Sequence, residues 1–269
     1  MNTSQLSTIA QKLRLRVVEM VGYDKVGHFG GSCSLADIVA VLYFDMMRHR
    51  PGDPGWAQRD RFILSKGHAA LIQYAALAES GYFDIEELST LKKLGSRLQG
   101  HPDILLPGIE ANTGSLGQGL SIACGMAAGL RAVPEARVYC VIGDGEQAEG
   151  QIWEAAMAAS AHKLSNLICF LDFNGLQATG TTQERFPIEN LAEKWEAFGW
   201  SVQTIDGHDT AAIQQAVLYA KEQSLPSMII AKTTKGKGIP CAENVVSFHN
   251  GAMTKEQYEQ AVLALGGGC

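Results

Sequence analysis

A Gly-Asp-Gly tripeptide and a distant Asn-Gly pair are the residues whose types and spacing best suit chemistry. Asp144 stands between Gly143 and Gly145 directly after an apolar run, and Asn174 lies thirty positions later, behind a second apolar run. A carboxylate, an amide oxygen and a backbone carbonyl suit Mg²⁺, which takes its other oxygens from phosphates and water. The two glycines allow a diphosphate to approach the backbone. We therefore predict a site for a metal-bound diphosphate.

The elements around this pair predict a βαβ unit. Residues 138–142 and 167–171 are continuously apolar, as in buried strands of a parallel sheet, and 151–162 form the crossover helix between them. Parallel strands end at the same sheet edge, where open α/β folds bind ligands. The tripeptide alone is equally typical of a simple turn, but the Asn after the second strand favours the ligand site. The glycine spacing does not fit a dinucleotide fingerprint.

The remaining chain alternates helix and strand, which predicts an α/β fold: a doubly wound, mainly parallel sheet of about five strands with helices on both faces. We predict one domain over 1–269, with 266–269 as a loose tail. Thr3 or Ser4 is expected to cap the first helix and Ser34 the second. The predicted helices are 6–21, 35–47, 67–80, 116–131, 151–162, 188–198, 210–223 and 255–265. The predicted strands are 61–64, 138–142, 167–171, 200–205 and 227–231.

Composition excludes several classes of function. A net charge of −6 gives no support for a nucleic-acid surface, and charged residues make up 19% of the 269 residues. We find neither a signal peptide nor a run of transmembrane length, so we expect a cytoplasmic protein without a membrane partner. The six cysteines form no C-x-x-C pair and are expected to be reduced, apolar residues. They are Cys33, Cys124, Cys140, Cys169, Cys241 and Cys269.

Four of the seven histidines lie in glycine-containing loops or at helix starts, which suits a shared site. These four are His28, His68, His101 and His249. His49 and His162 follow helix C-terminal ends and are expected to be structural, and His208 belongs to a turn before a helix cap. Lys235 and Lys237 lie in a basic loop after the last strand, where a diphosphate contact and a solvated loop are both open.

Taken together, these motifs resemble the diphosphate-binding half of a transketolase. The resemblance spans Leu6 to about Asn250. Its motifs are Gly27-His28, Gly30-Gly31, the segments 60–68 and 113–119, Gly100-His101-Pro102, the Gly-Asp-Gly to Asn element and His249. The resemblance implies the thiamine-diphosphate-binding fold, with thiamine diphosphate and Mg²⁺ as cofactors.

The resemblance also implies roles for individual residues. Asp144, Asn174 and the carbonyl of Leu176 would hold Mg²⁺. The implied catalytic residues are His28, His68, His101, His249 and Glu149. The implied cofactor-binding residues are His68, Gly114, Ser115, Leu116, Gly143, Asp144, Gly145, Glu149, Asn174, Leu176, Lys235 and His249.

The activity implied is the transfer of a two-carbon ketol unit from a ketose (phosphate) donor to an aldose (phosphate) acceptor. Full-length members are more than twice as long and carry a second domain whose glutamate binds the cofactor's pyrimidine; this sequence shows no such domain. We therefore predict the N-terminal subunit of a split transketolase, which is active in an α2β2 heterotetramer with a separate C-terminal subunit. Glu149 is then implied to lie near the interface.

The sequence departs from the family pattern at three places. Phe29 and Ser115 stand where proline is usual or frequent, and Phe173 precedes Asn174 in place of a carboxylate or Asn. Phe29 is expected to reshape the donor side of the site. Three alternatives remain open: an α subunit of a 2-oxo acid dehydrogenase, a non-catalytic cofactor-binding protein, and a transketolase for a non-standard sugar such as apulose 4-phosphate or a sulfonated ketose.

Overall fold

The structure, a computed structural model, describes residues 1–267 and is organised around one parallel sheet. Five strands pair in the order β1-β2-β3-β7-β6, and every pair is parallel. A two-residue hairpin, β4 with β5, pairs separately. The strands are β1 Arg61–Leu64, β2 Val138–Gly143, β3 Leu167–Phe173, β4 Leu176–Gln177, β5 Gly180–Thr181, β6 Ser201–Asp206 and β7 Ser227–Lys232. The predicted α/β fold is thereby confirmed.

Ten α-helices surround the sheet within the described range, and short turns of other helical types extend some of them. The α-helices are α1 Thr3–Val21, α2 Phe29–Cys33, α3 Ala36–Val41, α4 Ala70–Glu79, α5 Gln118–Gly129, α6 Gly150–Ala161, α7 Thr182–Arg185, α8 Leu191–Ala197, α9 Thr210–Lys221 and α10 Lys255–Ala264. A π-helical turn covers Leu42–Met46. The 3₁₀ turns are Gly67–Ala69, Ile85–Thr90, Leu130–Ala132, Asp144–Ala148 and Val246–His249.

Strand β2 shows why the apolar runs are continuous. All six of its residues are buried. Tyr139 and Val141 pack in the apolar cluster formed with α1, α3 and α4. Cys140 and Ile142 point the other way, into the cluster formed with α5, α6 and α8. Because both faces of β2 are buried, its sequence does not alternate between apolar and polar residues.

Two predicted helix caps are wrong. The cap of α1 is Asn2, whose side-chain oxygen accepts the N–H of Gln5 at 2.9 Å, while the Gln5 side chain accepts the N–H of Asn2 at 3.1 Å. The Ser34 hydroxyl caps no helix, because it donates to the buried Asp172 at 2.8 Å. The predicted helix 35–47 is α3 followed by the π-helical turn, and the crossover helix α6 begins only after a 3₁₀ turn at Asp144–Ala148.

Main-chain hydrogen bonds join the start of the predicted tail to the end of α10. In the predicted tail, the N–H groups of Gly266 and Gly267 donate to the carbonyls of Leu263 and Val262 at 3.1 and 2.9 Å, and residues 268 and 269 lie outside the described range. Cys33, Cys124, Cys140, Cys169 and Cys241 carry free thiols. Along the described chain, no helix is long and apolar enough to cross a membrane.

A buried carboxylate joins the helices on one face of the sheet. Asp37 of α3 accepts hydrogen bonds from the Arg14 guanidinium of α1 and lies 2.7 Å from Nδ1 of His208, which precedes α9. Nε2 of His208 accepts the N–H of Thr234 at 2.8 Å, so Nδ1 carries the proton donated to Asp37. Burial alone would raise the pKa of Asp37, but the His208 hydrogen bond and the Arg14 charge outweigh it and lower that pKa.

We expect Asp37→Asn to lower the free energy of unfolding near neutral pH by about 3 kcal/mol, because it leaves the Arg14 charge buried without its partner. The stabilisation by Asp37 is complete above the pKa of an unfolded aspartate and is lost as the pH falls through its lower folded pKa. The difference between the variant and the parent should therefore shrink in acid. Urea unfolding at several pH values measures it, with the exposed Asp53→Asn as the control; a difference independent of pH would contradict the assignment.

Candidate active site

A cavity of about 400 Å³ opens at the carboxyl ends of β2 and β3. Its walls come from the turns after these strands, the start of α2 and the loop after β7. Its lining residues are His28, Gly31, Lys66, His68, Gly114, Leu116, Gly143, Asp144, Gly145, Glu146, Ala148, Glu149, Asn174, Leu176, Gln177, Ala178, Lys235 and His249. The structure therefore gathers most of the sequence-predicted site residues around one space of the size that small ligands occupy.

The three residues predicted to hold a metal meet at this edge of the sheet. The Asp144 carboxylate accepts the N–H groups of Gly145 and Gly175 at 2.8 and 2.6 Å, which joins the ends of β2 and β3. Asn174 Oδ1 accepts the N–H of Leu176 at 3.1 Å. Within residues 1–267, no three His, Cys, Asp or Glu side chains are grouped to hold a metal. The predicted set has a single carboxylate, so it depends on amide and carbonyl oxygens.

Asp144 is held in a setting that lacks a full counter-charge. Burial, and then the charge of Asp172, raises the pKa of Asp144 to about 6, although the Gly175 N–H and the Lys66 and Lys235 charges act in the opposite direction. A cation in front of this carboxylate would favour its ionised form. The electrostatics of the site therefore fit a bound metal.

The four predicted histidines form one cluster beside the cavity. The His28 ring centroid lies 5.4 Å from that of His68, 5.7 Å from His249 and 6.4 Å from His101. His68 and His249 are 5.0 Å apart. His101 is exposed at the rim and is absent from the cavity lining. Residues separated by more than two hundred positions in the chain thus surround one point.

Three of these imidazoles are neutral at physiological pH. Burial is the largest cause for each of them, and nearby positive charges add to it. The pKa of His28 is lowered to about 4, with Lys92 contributing, and that of His68 to about 2, with Lys66 contributing. The pKa of His249 is lowered to about 3, with Lys235 contributing. Neutral rings can each donate one hydrogen bond and accept another, which suits contacts with sugar hydroxyls.

Lys235 is the cation of the basic loop that enters the cavity. Its ammonium donates to the Leu176 carbonyl at 2.7 Å and to Nδ1 of His249 at 2.8 Å. Because an ammonium can only donate, the neutral His249 carries its proton on Nε2. Burial, followed by the charge of Lys66, lowers the pKa of Lys235 to about 8. Lys237 instead lies 3.9 Å from Glu243 and is substantially exposed.

Sequence reasoning missed the most buried charges of the site. Asp172, at the end of β3, is fully buried and forms an ion pair with Lys66, which follows β1. It also accepts hydrogen bonds from Ser34, Asn174 and the Thr233 hydroxyl. Burial would raise the pKa of Asp172, but the charge of Lys66 and its hydrogen bond lower it. A charged residue closing an apolar strand is the signal that could have identified it.

Glu146 is a second missed carboxylate. It is buried, and it accepts the N–H groups of Gly117 and Gly143 at 2.8 Å and the Ser65 hydroxyl at 2.6 Å. Burial, which these hydrogen bonds only partly offset, raises its pKa. Glu146 therefore joins the ends of β1 and β2 to the start of α5. Its position two residues after Asp144 was the available signal.

Gly114 and Gly117 have conformations that require glycine. Gly114 has φ +148°, and a Cβ there would lie 2.7 Å from the His101 ring. Gly117 has φ +84°, and a Cβ there would lie 2.8 Å from Cβ of Glu149. The loop between these glycines is thus packed against two of the predicted site residues.

Two residues that the sequence singled out do not line the cavity. Ser115 is exposed and does not line the cavity, although its neighbours Gly114 and Leu116 do. Phe29 is fully buried with its ring centroid 5.4 Å from that of Phe248, so it does not face the cavity as a donor-side residue. Glu149 lies at the exposed rim.

Comparison with known proteins agrees with this geometry. Residues 5–267 match the family described as transketolase, thiamine diphosphate binding domain. The chain belongs to the transketolase family. The prediction of the family is confirmed, as are the enzyme class and thiamine diphosphate as the cofactor of this domain. The match favours the transketolase prediction over the 2-oxo acid dehydrogenase alternative.

Two relatives match this transketolase over nearly their whole length. The 6-deoxy-6-sulfo-D-fructose transketolase subunit SqwG of Clostridium sp. (strain MSTE9) is 48% identical over 260 residues, which is 95% of this chain and 94% of the relative. A relative from Phocaeicola vulgatus, named as one subunit of an apulose-4-phosphate transketolase, is 42% identical over 266 residues, which is 97% of this chain and 94% of the relative.

A solved structure shows the same fold. The crystal structure of transketolase from Campylobacter jejuni superposes with a TM-score of 0.93 at 37% sequence identity. The match covers 99% of this chain but 43% of that protein. The chain therefore corresponds to less than half of that transketolase.

We expect Asp172→Asn to lower the free energy of unfolding by about 3 kcal/mol, because it leaves the Lys66 ammonium buried without its carboxylate. Adding Lys66→Met should recover part of this loss, since the second substitution removes the uncompensated charge. Urea unfolding of both variants, with Asp53→Asn as the exposed control, measures the effect. A single variant as stable as the parent would show that the pair does not matter for folding.

Proposed function

We propose that this transketolase is the diphosphate-binding subunit of a two-chain enzyme that transfers a two-carbon ketol unit from a ketose donor to an aldose acceptor. The observation that carries the proposal is that one cavity is lined by the three oxygen-bearing residues, two buried lysines and three of the four clustered histidines. The two relatives that match over nearly their whole length are themselves named as subunits, which supports a separate C-terminal partner subunit. An α2β2 assembly and a cytoplasmic location belong to the same proposal.

The residues present fit a metal-bound diphosphate at the end of β2. Asp144, Asn174 and the Leu176 carbonyl would hold Mg²⁺, while Lys66 and Lys235 would offset the remaining negative charge. A Cβ added at Gly31 would lie 3.4 Å from the Lys66 ammonium and 3.6 Å from Nε2 of His68, so glycine leaves this approach open. Leu176 would have to exchange its Lys235 contact for the metal.

When bound, thiamine diphosphate supplies the carbon centre and the electron sink needed to break and form the bond beside the ketose carbonyl. The protein contributes orientation and proton positions. Lys235 holds His249 with its proton on Nε2, so this ring presents an N–H donor to an oxygen in the cavity. His28 and His68 are neutral, so each ring can accept a hydrogen bond from a hydroxyl and donate one to an oxyanion.

Glu149 and the exposed loop around Ser115 fit a site completed from outside this chain. Glu149 is accessible at the cavity rim, and Ser115 and Leu116 are exposed beside it. In the proposed complex, these residues would face both the pyrimidine end of the cofactor and the partner subunit. A non-catalytic role is less well supported, because the predicted ligand atoms are all present.

The relatives' names favour an anionic or non-standard ketose as the donor. One relative is named for a sulfonated fructose and the other for apulose 4-phosphate. Both sugars carry a negative group remote from the ketol unit. Phe29 does not line the cavity, so any difference in donor preference must arise from other residues or from the partner subunit.

We expect Asp144→Ala to weaken thiamine diphosphate binding in the presence of Mg²⁺ by at least about a hundredfold, because it removes the sole charged ligand of the proposed metal. Calorimetric titration with and without Mg²⁺ measures this. Asp53→Ala, on an exposed loop, is the matched control, and cooperative thermal unfolding verifies that both variants fold. Unchanged Mg²⁺-dependent affinity would overturn the metal assignment.

We expect the isolated chain to show no ketol transfer and to gain activity when its C-terminal partner subunit is added, because no carboxylate of this chain serves the pyrimidine in our proposal. A coupled assay over a panel of donors and acceptors, including phosphorylated and sulfonated ketoses, measures the activity. Full activity of the isolated chain would rule out the two-chain proposal.

A further inference from the structure

A second cavity, of about 210 Å³, lies at the opposite edge of the sheet from the candidate active site. It is bordered by the 3₁₀ turn Leu130–Ala132 and by the segments that lead into β2, β3 and β7. Four of its lining side chains are cationic, and none of the lining residues is acidic. The cations are Arg131, Arg137, Lys163 and Lys221.

Nearby carboxylates are directed at other partners. Asp60 accepts the main-chain N–H groups of Arg48 and Arg137, both at 2.8 Å, and is buried. Glu135 is largely exposed and lies 3.0 Å from the Arg48 guanidinium. The charge of Asp60 acts on Lys221, but Arg131, Arg137 and Lys163 form no ion pair within the described part of the chain.

Structural contacts explain only part of this cluster. Arg131 donates to the His162 carbonyl, Arg137 to the Pro134 carbonyl at 2.7 Å, and Lys221 to the Met46 carbonyl at 3.1 Å. Cations at the ends of helices are favoured by the helix dipole, which explains single residues. The helix dipole does not explain why four cations line the same cavity.

Lys163 is free to bind a ligand. Its side chain is exposed, and it forms no hydrogen bond or ion pair with residues 1–267. Nε of Arg137 also lacks a partner in the described part of the chain, but it is inaccessible to solvent and therefore to an entering anion. An unpaired ammonium can form a charge-assisted hydrogen bond with an oxyanion.

We propose that this cavity binds a phosphate-class oxyanion, either free phosphate or the phosphate group of a small metabolite. Arg131, Arg137 and Lys163 supply charge-assisted donors, and the Ser165 side chain lines the same space. Strands of six or seven residues separate the two edges of the sheet, which is about 20 Å. An anion here would therefore bind independently of the diphosphate site.

Hydrogen exchange tests the proposal on the intact chain, because it reports the two cavities separately. Inorganic phosphate, compared with chloride at equal ionic strength, should slow exchange in peptides covering 130–137 and 161–166. Protection confined to 113–117, 143–149 and 174–178 would place the phosphate in the candidate active site alone and would overturn the proposal. So would the absence of protection.

The variants Lys163→Gln and Arg131→Gln remove charge at the cavity. Each should weaken the phosphate-dependent protection by about tenfold in apparent affinity, because each removes one charge-assisted donor. Lys93→Gln, at an exposed lysine that does not line the cavity, is the matched control and should change nothing. Lys163 has no protein partner to lose, so its variant tests the site even if Arg131→Gln proves unstable. An equal loss of phosphate-dependent protection in Lys93→Gln would show that the effect depends on net charge alone, and it would overturn the proposal.

Two further arms identify the source of the anion. A sugar monophosphate that protects the same peptides at lower concentration than inorganic phosphate would identify a phosphorylated metabolite as the ligand. Equal potency would identify free phosphate. Repeating the titration with Asp144→Ala separates this inference from the proposed function, because protection at 130–137 should survive that substitution whether or not the chain binds thiamine diphosphate.

Discussion

The site depends on placing carboxylates where a parallel sheet excludes water. Asp144, Glu146 and Asp172 all lie at the carboxyl edge, and each is almost fully buried. A buried carboxylate is tolerated only with hydrogen bonds or a counter-charge. The three solve this differently: Asp172 takes an ammonium, Glu146 takes main-chain N–H groups and a hydroxyl, and Asp144 takes two main-chain N–H groups. Asp144 is thus the one among the three best prepared to receive a cation.

The same desolvation sets the state of the histidines. Burial and three neighbouring lysines keep three imidazoles neutral, and the Lys235 hydrogen bond places the proton of His249 on Nε2. Lys235 connects the two halves of the cavity because it contacts both a predicted metal-ligand carbonyl and His249. Loading a metal and a diphosphate would therefore change the partners of Lys235 and, through it, the setting of His249. In the proposed complex, the anchoring of the cofactor would thereby be coupled to the proton positions near its reactive end.

The two edges of the sheet differ in kind. The carboxyl edge carries balanced, buried charges and a tight network, whereas the amino edge gathers cations that lack acidic partners. The two relatives named as subunits match nearly all of this chain, so the matched region includes both edges of the sheet. An anion at the amino edge would be bound by residues with no part in the proposed chemistry.

The sequence by itself determined the α/β class, the βαβ unit around Asp144 and Asn174, and the four histidines, because apolar runs and glycine-rich motifs are local signals. It could not determine how distant side chains pair. From local patterns, Asp172 continues an apolar strand and Ser34 caps a helix. In the structure the Ser34 hydroxyl donates a hydrogen bond to Asp172, although the two residues lie 138 positions apart. Packing likewise decided that Lys235 and not Lys237 enters the cavity. It also decided the burial of Phe29 and the neutral state of the histidines. Burial and charge are properties of the folded surroundings, and only the tertiary structure decides them.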